Sequence, residues 1–148
     1  MFARVRIDIQ APPATVFAIL RDPEKRKGWM AGLMSTKQTS GKPGAVDSTF
    51  TDIILEGDQK KREYQGTILA NEFPTRLMMQ LQTPKLTVIN EWTLVQQPSG
   101  TRLTCAAKTR NTGWLLKLLS PFAQRVMKRI VKKQAKRIKM LAESRDQS

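Results

Sequence analysis

The stretch VMKRIVKKQAKRIKML, residues 126–141, contains seven lysines and arginines and no acidic residue. When successive residues are placed about 100° apart, as in an α-helix, apolar and basic residues separate onto opposite arcs. The pattern predicts a long helix over residues 121–143, roughly 35 Å in length. A wide apolar arc of this kind normally packs against the rest of a protein. The arc contains Ala123, Val126, Met127, Ile130, Val131, Gln134, Ile138, Leu141 and Ala142.

The basic arc of this helix has two interpretations. It can be solvated surface that aids solubility, or it can contact an anionic surface such as phospholipid headgroups. Like charges four residues apart destabilise an isolated helix by about 0.2–0.5 kcal/mol each, so packing of the apolar arc must stabilise the helix. The candidates for anionic contact are Arg125, Lys128, Arg129, Lys132, Lys136 and Lys139.

The start of the chain predicts a strand and two short helical segments. Residues 4–9 alternate between charged and apolar side chains, as in a half-buried strand. A helix is predicted over residues 14–20, with a proline near its first turn. The charged residues 24–27, followed by Trp29 and Met30, are expected to form a solvated turn or a second short helix.

The middle of the chain shows short alternating runs separated by turn residues, which predict six further strands. Short loops favour antiparallel neighbours, since a parallel crossover needs about a dozen residues. Leu77, Met79 and Leu81 are expected to share one face of their strand. In residues 47–56 the alternation fails, so the faces of that strand cannot be assigned. The strands are placed near residues 33–40, 47–56, 60–71, 76–82, 86–96 and 101–110.

The composition is that of a basic globular protein. The chain has 148 residues, of which 40% are hydrophobic and 26% charged. This length suffices for one buried core, so we expect one domain over residues 1–148. Lysine and arginine number 26 against 12 aspartates and glutamates, which gives a formal net charge of +14. Such a surface attracts phosphates, nucleic acids and anionic lipid headgroups.

Features that direct a chain to a compartment point to the cytoplasm. The single Cys105 excludes an internal disulfide and suits a reducing compartment. The first residues lack the apolar core of a secretory signal, and no segment reaches the roughly 18 apolar residues needed to span a bilayer. We expect a soluble, cytoplasmic protein, with peripheral association at a membrane as a second location.

Several short motifs occur along the chain in a recognisable order. After the first strand come Ala11-Pro12-Pro13-Ala14-Thr15-Val16-Phe17, Asp22-Pro23, Trp29, Phe73-Pro74-Thr75-Arg76-Leu77, Trp92-Thr93-Leu94 and Gly100-Thr101-Arg102-Leu103-Thr104. Together with the order of strands and helices, these motifs resemble the START-like (SRPBCC) superfamily. That superfamily includes polyketide cyclases and dehydrases, lipid-transfer domains and the birch-pollen allergen family. The resemblance covers essentially the whole chain.

The resemblance implies an α+β helix-grip fold. In this fold a curved antiparallel sheet of about seven strands wraps around the long C-terminal helix, and two short helices follow the first strand. It also implies an apolar cavity between sheet and helix that binds a lipophilic small molecule, such as a lipid, polyketide, quinone or sterol. A polyketide cyclase- or dehydrase-like enzyme is the alternative. Val46-Asp47 departs from the Val-Gly of many members, so the bend before the third strand is expected to differ.

The chain offers few means of catalysis. It has no histidine, which excludes His-based triads and Cys–His pairs. One cysteine and carboxylates are a poor zinc set, and no phosphate-binding or dinucleotide motif is present, so we expect neither metal nor cofactor. Four carboxylates, Asp52, Glu56, Glu63 and Glu91, lie on predicted strands. Each either points into solvent or faces the cavity, where it could act as a general acid or base.

Ligand binding is better supported by the residues present. A ligand pocket needs mostly apolar walls with a few polar groups, and methionines repack around varied shapes. Tyr64 is the candidate that orients a ligand through its hydroxyl group. For each candidate, packing in the core is the alternative role. The candidate ligand-binding residues are Trp29, Met30, Tyr64, Met79, Trp92, Phe122 and Met127.

Two larger partners are also considered. Residues 114–119 and Phe122 are expected to form an apolar entrance near the cavity mouth, beside the basic arc, which suits an anionic membrane surface. Nucleic acid is a weaker candidate, because the chain shows no aromatic stacking platform or recognised motif. The oligomeric state stays open.

Overall fold

A computed structural model describes residues 2–111 and 121–146 of the chain. Within these residues it contains seven strands and three helices. In chain order they are β1 (Phe2–Ile9), α1 (Pro13–Arg21), α2 (Pro23–Trp29), β2 (Leu33–Ser40), β3 (Thr49–Leu55), β4 (Lys61–Glu72), β5 (Arg76–Gln82), β6 (Leu86–Gln97), β7 (Gly100–Asn111) and α3 (Pro121–Asp146).

The strands form one antiparallel sheet in the order β1-β7-β6-β5-β4-β3-β2. All the strands from β2 to β7 follow one another as a meander, and β1 joins the far edge by pairing with β7. Irregular register between β2 and β3 and between β4 and β5 helps the sheet to curve. The predicted α+β helix-grip fold, with its curved sheet and two short helices after the first strand, is confirmed.

The chain enters β3 through an unusual backbone conformation at Asp47. This residue has a φ angle of 69°, in the left-handed region that glycine adopts most readily. Aspartate tolerates that region better than most residues. The strand predicted over residues 47–56 therefore begins only at Thr49. The backbone turn before β3 is made here with aspartate where the resemblance expects glycine.

Helix α3 is held to β1 and to the two short helices along its later turns. Val131, Ala135, Ile138 and Ala142 are buried there. Polar contacts reinforce this packing. The Lys139 Nζ donates to the Asp8 carbonyl at 2.6 Å, the Gln10 N–H donates to Glu143 Oε2 at 2.9 Å, and the Gln124 amide donates to the Phe2 carbonyl. Residues 114–119 of the predicted apolar entrance lie outside the described residues.

Two tryptophans lie at the centre of the core. Trp29 at the end of α2 and Trp92 on β6 are both almost fully buried, and their rings meet edge to face with centroids 5.4 Å apart. The Trp29 Nε1 donates to the Ile19 carbonyl at 3.2 Å, which satisfies the indole N–H. This contact fixes α2 against both α1 and the sheet.

The charged segment 24–27 differs from the prediction at one residue. Arg26 is buried, with 3% of its surface exposed, whereas the prediction placed the segment on a solvated turn or helix. Arg26 lies four residues before Met30, so both side chains leave the same side of α2 toward the sheet. There the guanidinium contacts both carboxylate oxygens of Asp52 at 2.9 Å each.

The burial of Asp52 also explains why the faces of β3 could not be assigned. Phe50 and Asp52 are both buried, and the same face continues through the partly buried Ile54. A charged residue in the middle of this inward face interrupts the apolar alternation that marks a half-buried strand.

Candidate ligand-binding site

A cavity of about 740 Å³ lies between the first half of α3 and the sheet. Its walls are mostly apolar, and two groups of side chains form them. From the helix come Phe122, Ala123, Val126, Met127, Ile130 and Val131. From the sheet come Ile54, Leu55, Tyr64, Leu81, Val88 and Ala107. The segment that links α2 to β2 completes the wall with Met30, Ala31 and Gly32.

The apolar arc of α3 divides into two parts along the helix. Its later residues pack in the core, but earlier ones face the cavity and retain exposed apolar surface. Phe122 is 76% exposed, Val126 is 37% exposed and Ile130 is 46% exposed. The first turns of the apolar arc therefore border the cavity, and its later turns pack in the core.

A polar network lies at one side of the cavity. The Tyr64 hydroxyl on β4 donates to Glu56 Oε1 at 2.6 Å, and Arg62 Nη1 donates to Glu56 Oε2 at 3.0 Å. Arg62 also forms two hydrogen bonds with Asp58. Burial, followed by the Glu56 hydrogen bond, raises the pKa of the Tyr64 phenol well above its usual value. Tyr64 therefore stays protonated and serves as a hydrogen-bond donor.

Two neutral amides line the same cavity, Asn90 from β6 and Gln134 from α3. Asn90 belongs to the inward face of β6, between the cavity-lining Val88 and the buried Trp92. Sequence reasoning missed it as a site residue. The available signal was a single polar residue in the apolar face that runs from Leu86 to Leu94.

Four of the seven predicted ligand-binding residues line the cavity. Met30 lies in the link between α2 and β2, Tyr64 belongs to the polar network, and Phe122 and Met127 lie on α3. Contact of these four side chains with a ligand stays a prediction.

The other three predicted ligand-binding residues lie in the core. Trp29 and Trp92 pack against each other, away from the described cavity wall. Met79 is 2% exposed, and its sulfur is 3.8 Å from the Arg26 guanidinium. Their side chains fill the space between α2 and the sheet, which is the packing role that the sequence left open. A ligand contact for them stays a prediction.

The four carboxylates on predicted strands occupy different environments. Glu91 accepts a hydrogen bond from Arg76 Nε at 2.6 Å and is half-buried outside the described cavity wall. Glu63 is exposed and contacts the Gln65 amide. Asp52 lies in the core with Arg26. Glu56 is the member of this group that lines the cavity.

The basic arc of α3 carries six predicted contacts for an anionic surface. Lys139 is partly buried and bonds to the Asp8 carbonyl and to Glu143, so it links α3 to β1. The other five are exposed, and they form no ion pair within the described ranges. They are Arg125, Lys128, Arg129, Lys132 and Lys136. Binding of this surface to an anion stays a prediction.

The amino-acid sequence also matches a protein-family model, and the match agrees with the fold described above. Residues 3–143 match the model described as polyketide cyclase / dehydrase and lipid transport. The chain belongs to this family. The match covers the described strands except Phe2 at the start of β1, and it covers most of α3. It includes every described residue of the cavity wall. Among curated protein sequences, none matches the chain significantly.

Three solved structures show how widely the fold of this polyketide cyclase / dehydrase and lipid transport family member occurs. The di-domain ARO/CYC protein StfQ from the steffimycin biosynthetic pathway has a TM-score of 0.80 and 12% identity, over 99% of this chain and 52% of that chain. A Thermus thermophilus protein has a TM-score of 0.78 and 17% identity, over 97% and 98% of the two chains. A Mesorhizobium loti protein has a TM-score of 0.70 and 20% identity, over 97% and 98%. At these identities the likeness concerns the fold alone.

Proposed function

We propose that the protein binds and carries a lipophilic small molecule in the cavity between the sheet and α3, and that residues 1–148 act as one ligand-binding domain. The observation that carries this proposal is the cavity of about 740 Å³ with its mostly apolar wall. Its volume falls within the range of roughly 300–1,000 Å³ that is usual for small-molecule sites. The ligand is of lipid, polyketide, quinone or sterol type.

The exposed apolar side chains of α3 support this function. Phe122, Val126 and Ile130 lie on successive turns along one side of the helix and all line the cavity. A cluster of apolar side chains left without packing partners usually marks a binding surface. A ligand in the cavity would cover part of this surface and remove it from water, which favours binding.

Binding of the uncharged fluorescent dye Nile red tests the proposal. The Ile130→Trp variant adds an indole to the cavity wall, and we expect it to weaken dye binding at least about tenfold, since overpacked sites lose roughly 1–3 kcal/mol. Met140→Trp is the matched control, because Met140 is 70% exposed on the same helix and does not belong to the described cavity wall. Native extraction followed by mass spectrometry identifies any copurifying ligand. Equal dye affinities in the wild type and both variants would contradict the proposal.

A cyclase- or dehydrase-like activity is the second candidate, favoured by the position of Glu56. This carboxylate lines the cavity beside the protonated Tyr64, and together they are the acid–base groups available there among the described wall residues. The similar StfQ structure is described as an ARO/CYC protein. If the protein is an enzyme, Glu56→Gln will bind the copurified compound but leave it unconverted.

A matched variant separates the two functions. Glu91→Gln removes a carboxylate outside the described cavity wall, so it should change neither binding nor turnover. A carrier gives the same bound compound, with unchanged mass, from the wild type and from both glutamine variants. Conversion by the wild type and by Glu91→Gln, but not by Glu56→Gln, would identify an enzyme.

Peripheral contact with an anionic membrane is a third element of the proposal, alongside a cytoplasmic location. Within the described part of the chain, no helix is long and apolar enough to cross a bilayer. The exposed Phe122 and Val126 lie beside Arg125 and Arg129, which lack ion-pair partners among the described residues. Apolar side chains next to cations suit the interface of an anionic bilayer.

Vesicle sedimentation tests the membrane contact. We expect binding to anionic vesicles but not to neutral ones, and loss of binding when Arg125 and Arg129 are both changed to Gln. Changing Lys37 and Lys42 to Gln is the charge-matched control, because these exposed residues lie at the β2 edge of the sheet. Equal binding to both kinds of vesicle, or a steeply salt-dependent affinity for nucleic acid in place of vesicle binding, would contradict the membrane contact.

A further inference from the structure

We propose that the cavity selects neutral lipophilic molecules that carry a carbonyl or hydroxyl group, that Asn90 recognises this oxygen, and that molecules ending in a carboxylate are rejected. This inference rests on the proposed ligand-binding function and specifies the chemistry of the ligand.

The first observation is the environment of Asn90. Its neighbours in register are Met79 on β5 and Ala107 on β7, both buried. Along β6 the same face carries Val88 and the buried Trp92. The amide of Asn90 thus lines the cavity in a largely apolar setting, and its side chain forms no hydrogen bond with any described residue.

The Asn90 side chain is only partly buried, so its amide is open to solvent until a ligand covers it. A ligand that covers the amide must pair with it, since leaving a buried donor or acceptor unpaired costs about 1–3 kcal/mol. The side-chain amide offers two N–H donors and a carbonyl acceptor, so it can pair with a carbonyl or a hydroxyl oxygen. It carries no charge with which to neutralise an anion.

Gln134 provides a second amide from the opposite wall. It lies on α3, where the residues around it on the same arc are apolar, and it also lines the cavity. Its side chain, like that of Asn90, has no hydrogen-bond partner among the described residues. The sheet and the helix therefore each contribute one neutral polar group, which suits a ligand with polar atoms within an otherwise apolar body.

The charge of the wall is the second, independent observation. The chain as a whole carries a net charge of +14, yet Glu56 is the one charged residue among the described residues that line the cavity. Both of its carboxylate oxygens already accept hydrogen bonds, one from Tyr64 and one from Arg62. The cation that pairs with Glu56, Arg62, is not part of the described wall.

These charges disfavour an anionic ligand. A carboxylate brought against this wall would lose its hydration and find no cation among the described residues that line it, which is unfavourable. It would also be repelled by Glu56. A neutral carbonyl or hydroxyl group has a smaller cost of dehydration, and the amides of Asn90 and Gln134 offset that cost with hydrogen bonds.

Displacement of Nile red by three ligands of equal chain length tests the inference. The ligands are a saturated fatty acid, the corresponding primary alcohol and the corresponding primary amide, measured at a pH where the acid is ionised. We expect the alcohol and the amide to compete at least about tenfold better than the acid, as one missing counter-charge or hydrogen bond implies.

Variants of the amides test the role assigned to Asn90. Asn90→Leu should weaken binding of the alcohol and the amide by about five- to tenfold. Nile red also carries a carbonyl group, so its affinity is measured directly in each variant and the displacement data are corrected for it. Gln80→Leu is the control, because Gln80 lies on the adjacent β5 strand outside the described cavity wall. Gln134→Leu gives an independent measurement on α3 if Asn90→Leu folds poorly.

The outcomes separate this inference from the function on which it rests. If Nile red binds but the fatty acid competes as well as the alcohol, the inference is wrong and the ligand-binding function stands. The same holds if neither leucine variant lowers the affinity for the alcohol. If Nile red does not bind the wild type, or if Ile130→Trp does not weaken its binding, both the function and the inference are contradicted.

Discussion

The Arg26 guanidinium on α2 and the Asp52 carboxylate on β3 form a two-pronged ion pair inside the core. Nη1 and Nη2 each lie 2.9 Å from a carboxylate oxygen, with 3% of Arg26 and none of Asp52 exposed. Nη2 also donates to the Thr36 hydroxyl, and the guanidinium lies 4.9 Å from the centre of the Phe50 ring. This pair ties the short helix that precedes the cavity to the strand that borders it.

Asp52→Asn is expected to destabilise the protein by about 3–5 kcal/mol, because it leaves the buried guanidinium without its counter-charge. Chemical denaturation at neutral pH measures this loss. The double variant Arg26→Met with Asp52→Leu removes both charges, and we expect it to recover most of the lost stability.

The exposed pair between Arg102 and Asp8 serves as the control for this prediction. Asp8→Asn breaks an ion pair of similar distance on the surface, where water screens the charges, and should change stability little. A similar loss in Asp8→Asn and Asp52→Asn would show that burial does not determine the effect.

Gly66→Ala is expected to destabilise the protein by about 1–3 kcal/mol through overpacking. Gly66 on β4 is paired in register with Phe50, whose ring covers the glycine. A Cβ atom at Gly66 would lie 2.1 Å from that ring. Thermal unfolding of Gly66→Ala measures the effect, and adding Phe50→Leu should restore part of the stability.

The control for this substitution is Gly57→Ala, because a Cβ atom at Gly57 would meet no atom within 4 Å. Its melting temperature should stay close to that of the wild type. If Gly57→Ala lowers the melting temperature as much as Gly66→Ala does, contact with Phe50 is not the cause.

Acid is expected to destabilise the attachment of α3 through Glu143. The Gln10 N–H and then the Lys139 ammonium lower the pKa of this carboxyl below its ordinary value of 4.5. Because the folded pKa is the lower one, the stabilisation is complete above about 4.5 and disappears as the pH falls through the folded pKa. Glu143→Gln should therefore flatten the acid limb of the curve of unfolding free energy against pH.

Denaturation series between about pH 7 and pH 3 test this dependence. Glu63→Gln is the matched variant, since Glu63 is an exposed carboxylate on β4 that contacts the neutral Gln65 amide. Identical curves for the wild type and Glu143→Gln would contradict the assignment to Glu143.

Cys105 is expected to react very slowly with alkylating reagents while the protein is folded. Burial raises the pKa of its thiol to about 12. At about pH 8 the reactive thiolate would be roughly a thousandfold less abundant than in the unfolded chain, where the pKa is near 8.5. Mass spectrometry of timed iodoacetamide labelling, with a denatured sample as reference, measures the ratio. Labelling at similar rates in both samples would mean that β7 opens readily.

The fold could be predicted from the sequence because each element shows its own periodicity. The alternation in β5 placed Leu77, Met79 and Leu81 on one face, and all three are buried. The two arcs of α3 likewise predicted that its basic arc faces water, and five of the six basic-arc candidates are exposed. Such patterns depend on neighbours within one element, which a sequence displays directly.

The site was harder to predict, because it depends on contacts between elements. Nothing local to residues 24–27 distinguishes Arg26 from the lysines beside it, and its burial follows from Asp52 on a distant strand. Trp29 and Trp92 were predicted to bind a ligand because their side chains are large, but they pack against each other. Asn90 carried the opposite signal, since a polar residue on an apolar face indicates either a buried partner or a cavity.

The early turns of α3 border the cavity, whereas its later turns pack in the core. The two parts of the helix are therefore under different evolutionary constraints. Exchanges among Val126, Met127 and Ile130 alter the shape offered to a guest molecule at little expense to folding. Exchanges at Ala135, Ile138 and Ala142 disturb the attachment to the scaffold. Homologues with different cargoes should therefore vary in the early turns and retain small or branched residues in the later ones.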